Sequence, residues 1–501
     1  MMTTNPPIAA LSKGQRYSGG TTCLGCVWMA NLLDHFAIAV DRHPDRTAIV
    51  EGDGREITFS AVQIRAQQLA SKWKRRGVGQ GDHVLLAMPV NADLYASLAA
   101  LWSLGATVVL PEPAMGLAGL RHAARTTQPK AFCASGHFAL LKFVVPELFK
   151  LRLLLPGSAR SDPGVATVHD SDTALISFTS GTTGKAKAIP RSHAFLMAQH
   201  DAIAPLLNSD AVERDLVAFP VFTLINLAAG RTTILPNWKM SNLDRLSPEQ
   251  LAGWISKQQV TRLLIPPSLC EKLAQCKDTG QLHTVFTGGG PVFPDLVERL
   301  LSNSGLDVVC VYGSTEAEPI AHLDVRDISE VDQREMAAGK GLLVGFPVSQ
   351  IKLRIRNDEV QVTGDHVNDG YLDPTHSKAN KIKDGTTIWH RTGDVGHLDE
   401  RGRLWLLGRL GSDVRTPTGR TFPFAIEIAA RQWPGVTNSA LMNFEESPAL
   451  CIEGDAGQLS NWSSLAQELG IAKVIHVRKI PMDKRHNSKV DRVKLAHLLG
   501  C

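Results

Sequence analysis

Residues 177 to 193 read Ser-Phe-Thr-Ser-Gly-Thr-Thr-Gly-Lys-Ala-Lys-Ala-Ile-Pro-Arg-Ser-His. Thr179, Ser180, Thr182 and Thr183 offer hydroxyl donors, while Gly181 and Gly184 let backbone N–H groups approach an anion with no Cβ in the way. Lys185 and Lys187 add positive charge, so the chemistry on offer is the holding of phosphates. A Walker loop needs Gly-x-x-x-x-Gly-Lys-Ser/Thr opening into a helix, and here the second glycine follows the first by three residues, which excludes a P-loop NTPase. The preceding Thr173–Phe178 is short, apolar and β-prone, so the loop is expected at the end of a strand. Alone, a Ser/Thr/Gly-rich surface turn would explain it equally well.

Further segments follow in order. Val311-Tyr-Gly-Ser-Thr-Glu-Ala-Glu-Pro319 ends a predicted strand; there Tyr312 can stack on a purine, Thr315 can bond a phosphate oxygen and Glu316 can ligate Mg²⁺. Glu318 reads as a solvated loop charge. Thr287-Gly-Gly-Gly-Pro291 closes an earlier strand, Arg391-Thr-Gly-Asp394 precedes Leu404-Trp-Leu-Leu-Gly-Arg409, and Pro481-Met-Asp-Lys-Arg-His-Asn-Ser-Lys489 lies near the C-terminus.

In this order the segments resemble the adenylate-forming superfamily, which includes acyl-CoA synthetases, peptide-synthetase adenylation domains, luciferases and the β-lactone synthetases of olefin biosynthesis. The resemblance spans roughly residues 30 to 495. It implies that residues 179–184 and Lys187 hold phosphates and that Gly288, Gly289 and Gly290 border the adenine. It further implies that Asp394 accepts from both ribose hydroxyls, with Arg409 adding a charge-assisted contact. Lys489 would be the catalytic lysine, neutralising the carboxylate and α-phosphate as the acyl oxygen attacks in line. The reaction so specified is carboxylate plus Mg·ATP to acyl-adenylate and pyrophosphate. It depends on positioning and electrostatics, so no Ser-His-Asp or Cys-His arrangement is required. Ala186 replaces the usual proline, Ala188 the usual glycine, and Ser488 another glycine. Gly411 stands at the expected hinge, where the family places Asp or Lys; glycine tolerates the φ/ψ change a hinge absorbs.

The elements that must position these groups follow from texture. The chain has 501 residues, 44% hydrophobic and 20% charged, enough for more than one domain. A formal charge of +4 argues against nucleic acid or an anionic membrane surface as partner. Strand-like and helix-like patterns alternate over 56 to 110 and again through Leu216–Phe219, Thr232–Leu235, Leu263–Ile265, Thr284–Phe286 and Val308–Val311, which is βαβ rhythm. Leu94 to Leu110 carries no charge, yet Ser97, Ser103 and Gly105 mark it as a buried helix turning into a strand rather than an integral membrane span. After Thr392 short strands and turns are expected. The predicted fold class is therefore α/β: a flexible lead-in over 1–28, a large N-terminal domain of parallel-rich sheets flanked by helices over 29–410, and a small mobile α+β C-terminal domain over 411–501. Eight scattered cysteines without a secretory leader read as reduced thiols in a cytoplasmic protein, and the lone Cys23-x-x-Cys26 lacks a second ligand pair for zinc.

Phe219–Ala228 is expected to border the acyl pocket through Phe222, Thr223 and Leu224. Amino-acid adenylation domains place an aspartate in the corresponding motif; no carboxylate stands here, which disfavours an α-amino acid and fits an apolar chain. Arg485-His-Asn-Ser-Lys489, Tyr-Gly-Ser-Thr-Glu-Ala and Pro113-Ala-Met-Gly116 also resemble the olefin β-lactone synthetases, in which the adenylate of a β-hydroxy acid closes on its own hydroxyl. Three readings stand at this point: a ligase on a fatty or 3-hydroxy fatty acid, requiring ATP and Mg²⁺ and ending in a β-lactone or a CoA thioester; an adenylation enzyme loading an acyl carrier protein or serving pathway enzymes; and a silent nucleotide-binding scaffold.

Overall fold

A computed structural model describes residues 31–111, 115–157, 164–179, 186–416, 419–444, 447–482 and 490–500. Among these, fourteen strands form one long sheet. Its central strands, Arg214–Val217, Thr232–Ile234, Arg262–Ile265, Thr284–Gly288 and Asp307–Ser314, are parallel. From Ala317 onward the pairing turns antiparallel and continues through Leu342–Pro347, Leu404–Arg409 and Thr387–Leu398. The parallel strands are near-continuous apolar runs because helices cover them on both faces. A second sheet of six strands is parallel except for its last hairpin, Thr173–Thr179 with Lys187–Ser192.

The uncharged stretch forms a helix, Ala92–Ser103, in which every residue from Leu94 to Trp102 is buried. An all-round apolar helix belongs in a core, and no described helix is long and apolar enough to cross a membrane. Gly105 then turns the chain into Thr107–Leu110. Short strands follow Thr392, at Leu404–Arg409, Val414–Thr416 and Gly419–Thr421, but the boundary itself falls inside a strand: Thr387–Leu398 is twelve residues long and runs through the Arg391–Asp394 motif. It is irregular rather than interrupted, with a register shift after Val395 and Gly393 at a φ of +70°. The glycine that reads as a turn in sequence is thus a kink inside a paired strand.

The final ninety residues build a three-stranded sheet, Val436–Phe444, Ser447–Gly454 and Lys473–His476, with helices Pro423–Arg431, Leu459–Glu468 and Arg492–Leu499. The first of these helices faces both ways. Ile426 and Ala430 join the apolar core of the small sheet, whereas Ile428 packs with Leu342 and Leu406 of the long one. Arg431 forks onto Asp295 at 2.9 and 3.0 Å and stacks 4.3 Å over Phe293, tying the two parts together with charge-assisted bonds. Five described cysteines, 133, 270, 276, 310 and 451, are free thiols; the Cys23-x-x-Cys26 pair and the expected lead-in fall outside the described residues.

Candidate active site

Two strand ends meet where the nucleotide motifs were expected. Gly288 closes the strand Thr284–Gly288, in register with Val311 of the next strand. A Cβ on Gly288 would lie 2.3 Å from the Val311 carbonyl oxygen, so only glycine lets the strands keep this approach. Gly289 follows with Phe219 against it, and Gly290 completes the bend. The strand that contains Val311 runs on to Ser314 and returns as Ala317–Asp324, so the Tyr-Gly-Ser-Thr-Glu segment is the tip of a hairpin.

That tip faces the kinked strand. The Tyr312 hydroxyl donates to Asp394 Oδ2 at 2.6 Å, and Arg409 Nη1 donates to Asp394 Oδ1 at 2.7 Å. Asp394 and Arg409 are cross-strand partners, and a Cβ at residue 393 would meet the Arg409 guanidinium at 3.0 Å, so Gly393 leaves the arginine its place. The rest of the motif holds the strand: Arg391 Nε donates to Glu359 Oε2 at 2.8 Å and Thr392 Oγ1 to the Val360 carbonyl at 2.8 Å. Burial and the adjacent Asp394 push the Tyr312 phenol well above its ordinary value, which keeps it a donor. Burial works against the Arg409 charge, but the Asp394 carboxylate outweighs it and raises the guanidinium further. Both Asp394 oxygens thus have a protein partner. A carboxylate accepts about four hydrogen bonds, so lone pairs remain for two ribose hydroxyls.

A second polar cluster surrounds Glu316, and the sequence had pointed only to Glu316 and Lys187 within it. Tyr371 donates to Glu316 Oε1 at 3.0 Å. The ammonium groups of Lys187 and Lys381 lie 5.5 and 5.3 Å from the Tyr371 ring centroid, and Lys187 Nζ also donates to Asn380 Oδ1 at 3.0 Å. Lys381 reaches the Asn368 carbonyl and His390 Nδ1. Burial draws the Lys381 ammonium down to about 8 against the pull of Glu316. Burial, then Lys381, holds His390 well below its ordinary value, so its ring accepts from the ammonium. Arg191 is buried beneath the hairpin tip and donates through Nη2 to the Thr315 carbonyl. Lys381 sits among other lysines in the sequence, with nothing local to distinguish it from solvated charge.

Of the phosphate loop, Thr179 ends its strand buried at 8% exposure and Lys187 pairs with it across the hairpin. Ser180, Gly181, Thr182, Thr183 and Gly184 lie outside the described residues. Ala186 and Ala188 are buried and pack with Phe178 in one core, where their methyls fill space that is otherwise apolar. Lys489 also lies outside the described residues, but the ends of its segment do not: Met482 and Val490 form an antiparallel bridge. That bridge is tied by Met482 Sδ to Asn438 at 3.7 Å, by Asn438 to Arg431 at 2.7 Å, and so to Asp295 just beyond the glycine bend. Gly411 has a φ of +79° and open space where a Cβ would stand.

Beside these polar clusters lies an apolar cavity. It is lined by Ile203, Leu206 and Leu207, by Phe219 and Phe222 of the helix Pro220–Ala228 and its approach, and by Leu264, Phe286 and Val311 from three parallel strands. The expected trio divides. Phe222 lines the cavity together with a cluster containing Ile225, three positions on; Thr223 is fully buried and Leu224 packs against the core of Ala92–Ser103. A helix turns through about 100° per residue, and here that turn carries Thr223 and Leu224 away from the cavity face. The remaining lining residues carry no local pattern and come together only through sheet order. Glu318, read as solvated, lines this cavity instead.

The family model for AMP-binding enzymes matches residues 36–372, two thirds of the chain. An olefin β-lactone synthetase from Stenotrophomonas maltophilia is 27% identical over 500 residues, covering 88% of this chain and 90% of the relative. A 2-succinylbenzoate–CoA ligase from Bacillus licheniformis is 26% identical, covering 80% and 84%. Among solved structures, the o-succinylbenzoate CoA synthetase of Bacillus subtilis in complex with ATP and magnesium superposes with a TM-score of 0.75 at 20% identity over 92% of this chain and 99% of that one. The amide bond synthetase McbA of Marinactinospora thermotolerans gives 0.77 at 20% identity over 93% and 99%.

Proposed function

This chain belongs to the AMP-binding enzyme family and is an ATP-dependent, AMP-forming ligase, and from that membership we propose that it activates a fatty or 3-hydroxy fatty acid to its acyl-adenylate with Mg·ATP. The observation that carries the reading is the adjacency of two unlike regions: Tyr312, bonded to the Asp394 that Arg409 also holds, directly follows Val311 of the apolar cavity, whose wall also includes Gly288 and Gly289. In this reading the ribose sits on Asp394, the adenine lies along Gly288 to Gly290, and the acyl chain fills the space beside Phe222. Glu316 fits a hard divalent cation, since among the described residues its carboxylate takes a side-chain hydrogen bond at Oε1 alone. Bound Mg²⁺ would draw charge from the phosphate oxygens. Thr179 and residues 180–184 would hold those phosphates, Lys187 and Lys381 would add charge behind them, and Lys489 would enter from the small domain, with residues 411–501 turning about Gly411 between half-reactions.

For the second half-reaction, the olefin β-lactone synthetase relatives and the match along nearly the whole chain favour ring closure on the substrate's own hydroxyl over transfer to CoA. Thioester formation stays as the alternative because CoA ligases align almost as far. The test is product analysis by mass spectrometry across an acid panel with Mg·ATP, with and without CoA. AMP release with a medium-to-long 3-hydroxy acid and no thiol supports the lactone route; strict dependence on CoA or a holo carrier protein removes it. Absence of AMP with every acid would leave only a silent scaffold.

A further inference from the structure

The whole-chain charge of +4 conceals an uneven distribution. Residues 116–155 hold six lysines and arginines against a single acid, Glu147, a local excess larger than that of the whole protein. They fold as the helix Gly116–Thr127, the strands Ala131–Ala134 and Arg152–Leu154, and short helical turns between, at one edge of the six-stranded sheet. Glu147 is itself held by Arg121, at 3.0 Å, and by Arg125, and Lys130 pairs with Asp82. Lys142, Lys150 and Arg152 are left with no carboxylate partner among the described residues. The end of another helix, Phe59–Arg75, brings further charge to the same edge: Arg76 Nη1 donates to the Leu153 carbonyl at 3.1 Å and Lys72 Nζ to that of Pro156 at 3.4 Å. Arg75, Arg76 and Arg152 then line one open recess with Gly77, and no carboxylate is among its lining residues.

Beside this charge the chain shows apolar side chains to water. Phe143 and Val144 end a one-turn helix, Leu141–Val144, and are 71% and 66% exposed; Leu140 is 64% and Phe149 54% exposed. Lys142 Nζ donates to the Leu148 and Phe149 carbonyls, which holds the two stretches together. Val145 and Leu148 are buried in the core beneath, so the turn is anchored and its outer side chains are not a frayed end. From Phe149 to Arg152 is three residues, a span of at most about 11 Å. Single exposed apolar residues need no explanation, but several together beside a basic cluster mark a contact surface.

We propose that this edge of the six-stranded sheet docks on an anionic phospholipid membrane, with Arg75, Arg76 and Arg152 on lipid phosphates and Phe143, Val144 and Phe149 entering the interface. Guanidinium groups pair with phosphate through parallel hydrogen bonds, and lysine stems lie along apolar surface with their heads among the headgroups. Apolar contact and a basic patch are the two signals that together hold a protein without a spanning helix at such a surface. A second copy of this chain fits less well, because a two-fold contact would set the basic cluster against itself. A folded acidic protein would match the charge, but the apolar side chains stand out from the surface, which suits entry into a deformable interface.

The experiment is cosedimentation of the full chain with vesicles of phosphatidylcholine alone and of phosphatidylcholine with about one third phosphatidylglycerol, at low salt and at about 0.5 M salt. Partition onto the anionic vesicles should exceed that onto the neutral ones by about tenfold or more and fall as salt rises. Each basic residue near an anionic surface is worth about fivefold, so K150Q/R152Q should lose about twentyfold, and F143S/V144S about tenfold. F143W adds a reporter whose emission should shift to the blue on the anionic vesicles. The proposal is overturned by absence of partition, by equal partition onto neutral vesicles, by unchanged partition in either double variant, or by an F143W emission that stays put on bound protein. Dimerisation of the wild type that F143S/V144S abolishes would assign the surface to a second copy instead. Capture by soluble polyglutamate with no vesicle binding would assign it to an acidic protein. Should F143S/V144S fold poorly by thermal melt, the K150Q/R152Q partition and the F143W emission decide.

Discussion

The polar cluster around Asp394 and Glu316, proposed to hold the nucleotide, and the apolar cavity proposed for the acyl chain are made in opposite ways. In the cluster each polar group is held by another polar group close at hand: Asp394 by Tyr312 and Arg409, Glu316 by Tyr371, Arg391 by Glu359. The cavity is walled by apolar side chains from helical segments and several strands, with a single carboxylate among the lining residues. Fixed dipoles suit a ligand whose charges are the same in every turnover, and loose apolar walls suit a chain whose length is free to vary. On the proposed reading, the contrast teaches that recognition of the common reactant is local, while choice of the variable one is distributed.

Substitutions can break that division. The largest effect is expected from K489A, which should cut acyl-adenylate formation by about a hundredfold to a thousandfold while leaving ATP binding in place, as the lysine belongs to the other side of the hinge. Pyrophosphate exchange near the wild-type rate would refute its role. Next, D394N should raise KM for ATP by about tenfold to a hundredfold, because it weakens the proposed ribose contact and leaves the half-buried Tyr312 and the exposed Arg409 without their anionic acceptor. If the two regions are as separate as they look, KM for the acid should hardly move. F222A should do the reverse, raising KM for a long acid by about tenfold with KM for ATP unchanged; loss of ATP binding in F222A would join what the structure divides.

The smallest effect sharpens the comparison through pH. Lys381 is charged below its value of about 8 and neutral above it. Affinity for Mg·ATP should therefore fall severalfold as pH rises through 8, and K381M should flatten that part of the profile. For stability the sign is the other way. The native state has released this proton between about 8 and the ordinary lysine value, while the unfolded chain still holds it, so stability contributed by this group rises with pH across that window. Thermal melts of wild type and K381M between pH 7 and 10 separate the two effects.

How far the sequence reached follows the same boundary. Gly288, Tyr312, Asp394 and Arg409 were legible because strand ends and glycine contacts require particular residue types at fixed spacings, and these survive as short patterns. Lys381, Tyr371 and Arg191 were missed because a lysine drawn to about 8 looks like any other until burial is known. Glu318 was misread as a loop charge for the same reason. Thr223 and Leu224 were grouped with Phe222 by adjacency in sequence, but the helix directs one into full burial and the other onto the core of Ala92–Ser103.

By itself the sequence determined the alternation of strands and helices, the order of the hydroxyl-rich, glycine-rich and acidic segments, and the family whose kind of reaction they mark. Backbone propensity and close-approach glycines act over a few residues, and a few residues are enough to record them. Only the tertiary structure decided which side chains face the cavity, which carboxylate stands in it, and which lysine loses water. Those properties are sums over neighbours contributed by distant segments, and burial and dielectric environment exist only once the sheets have formed.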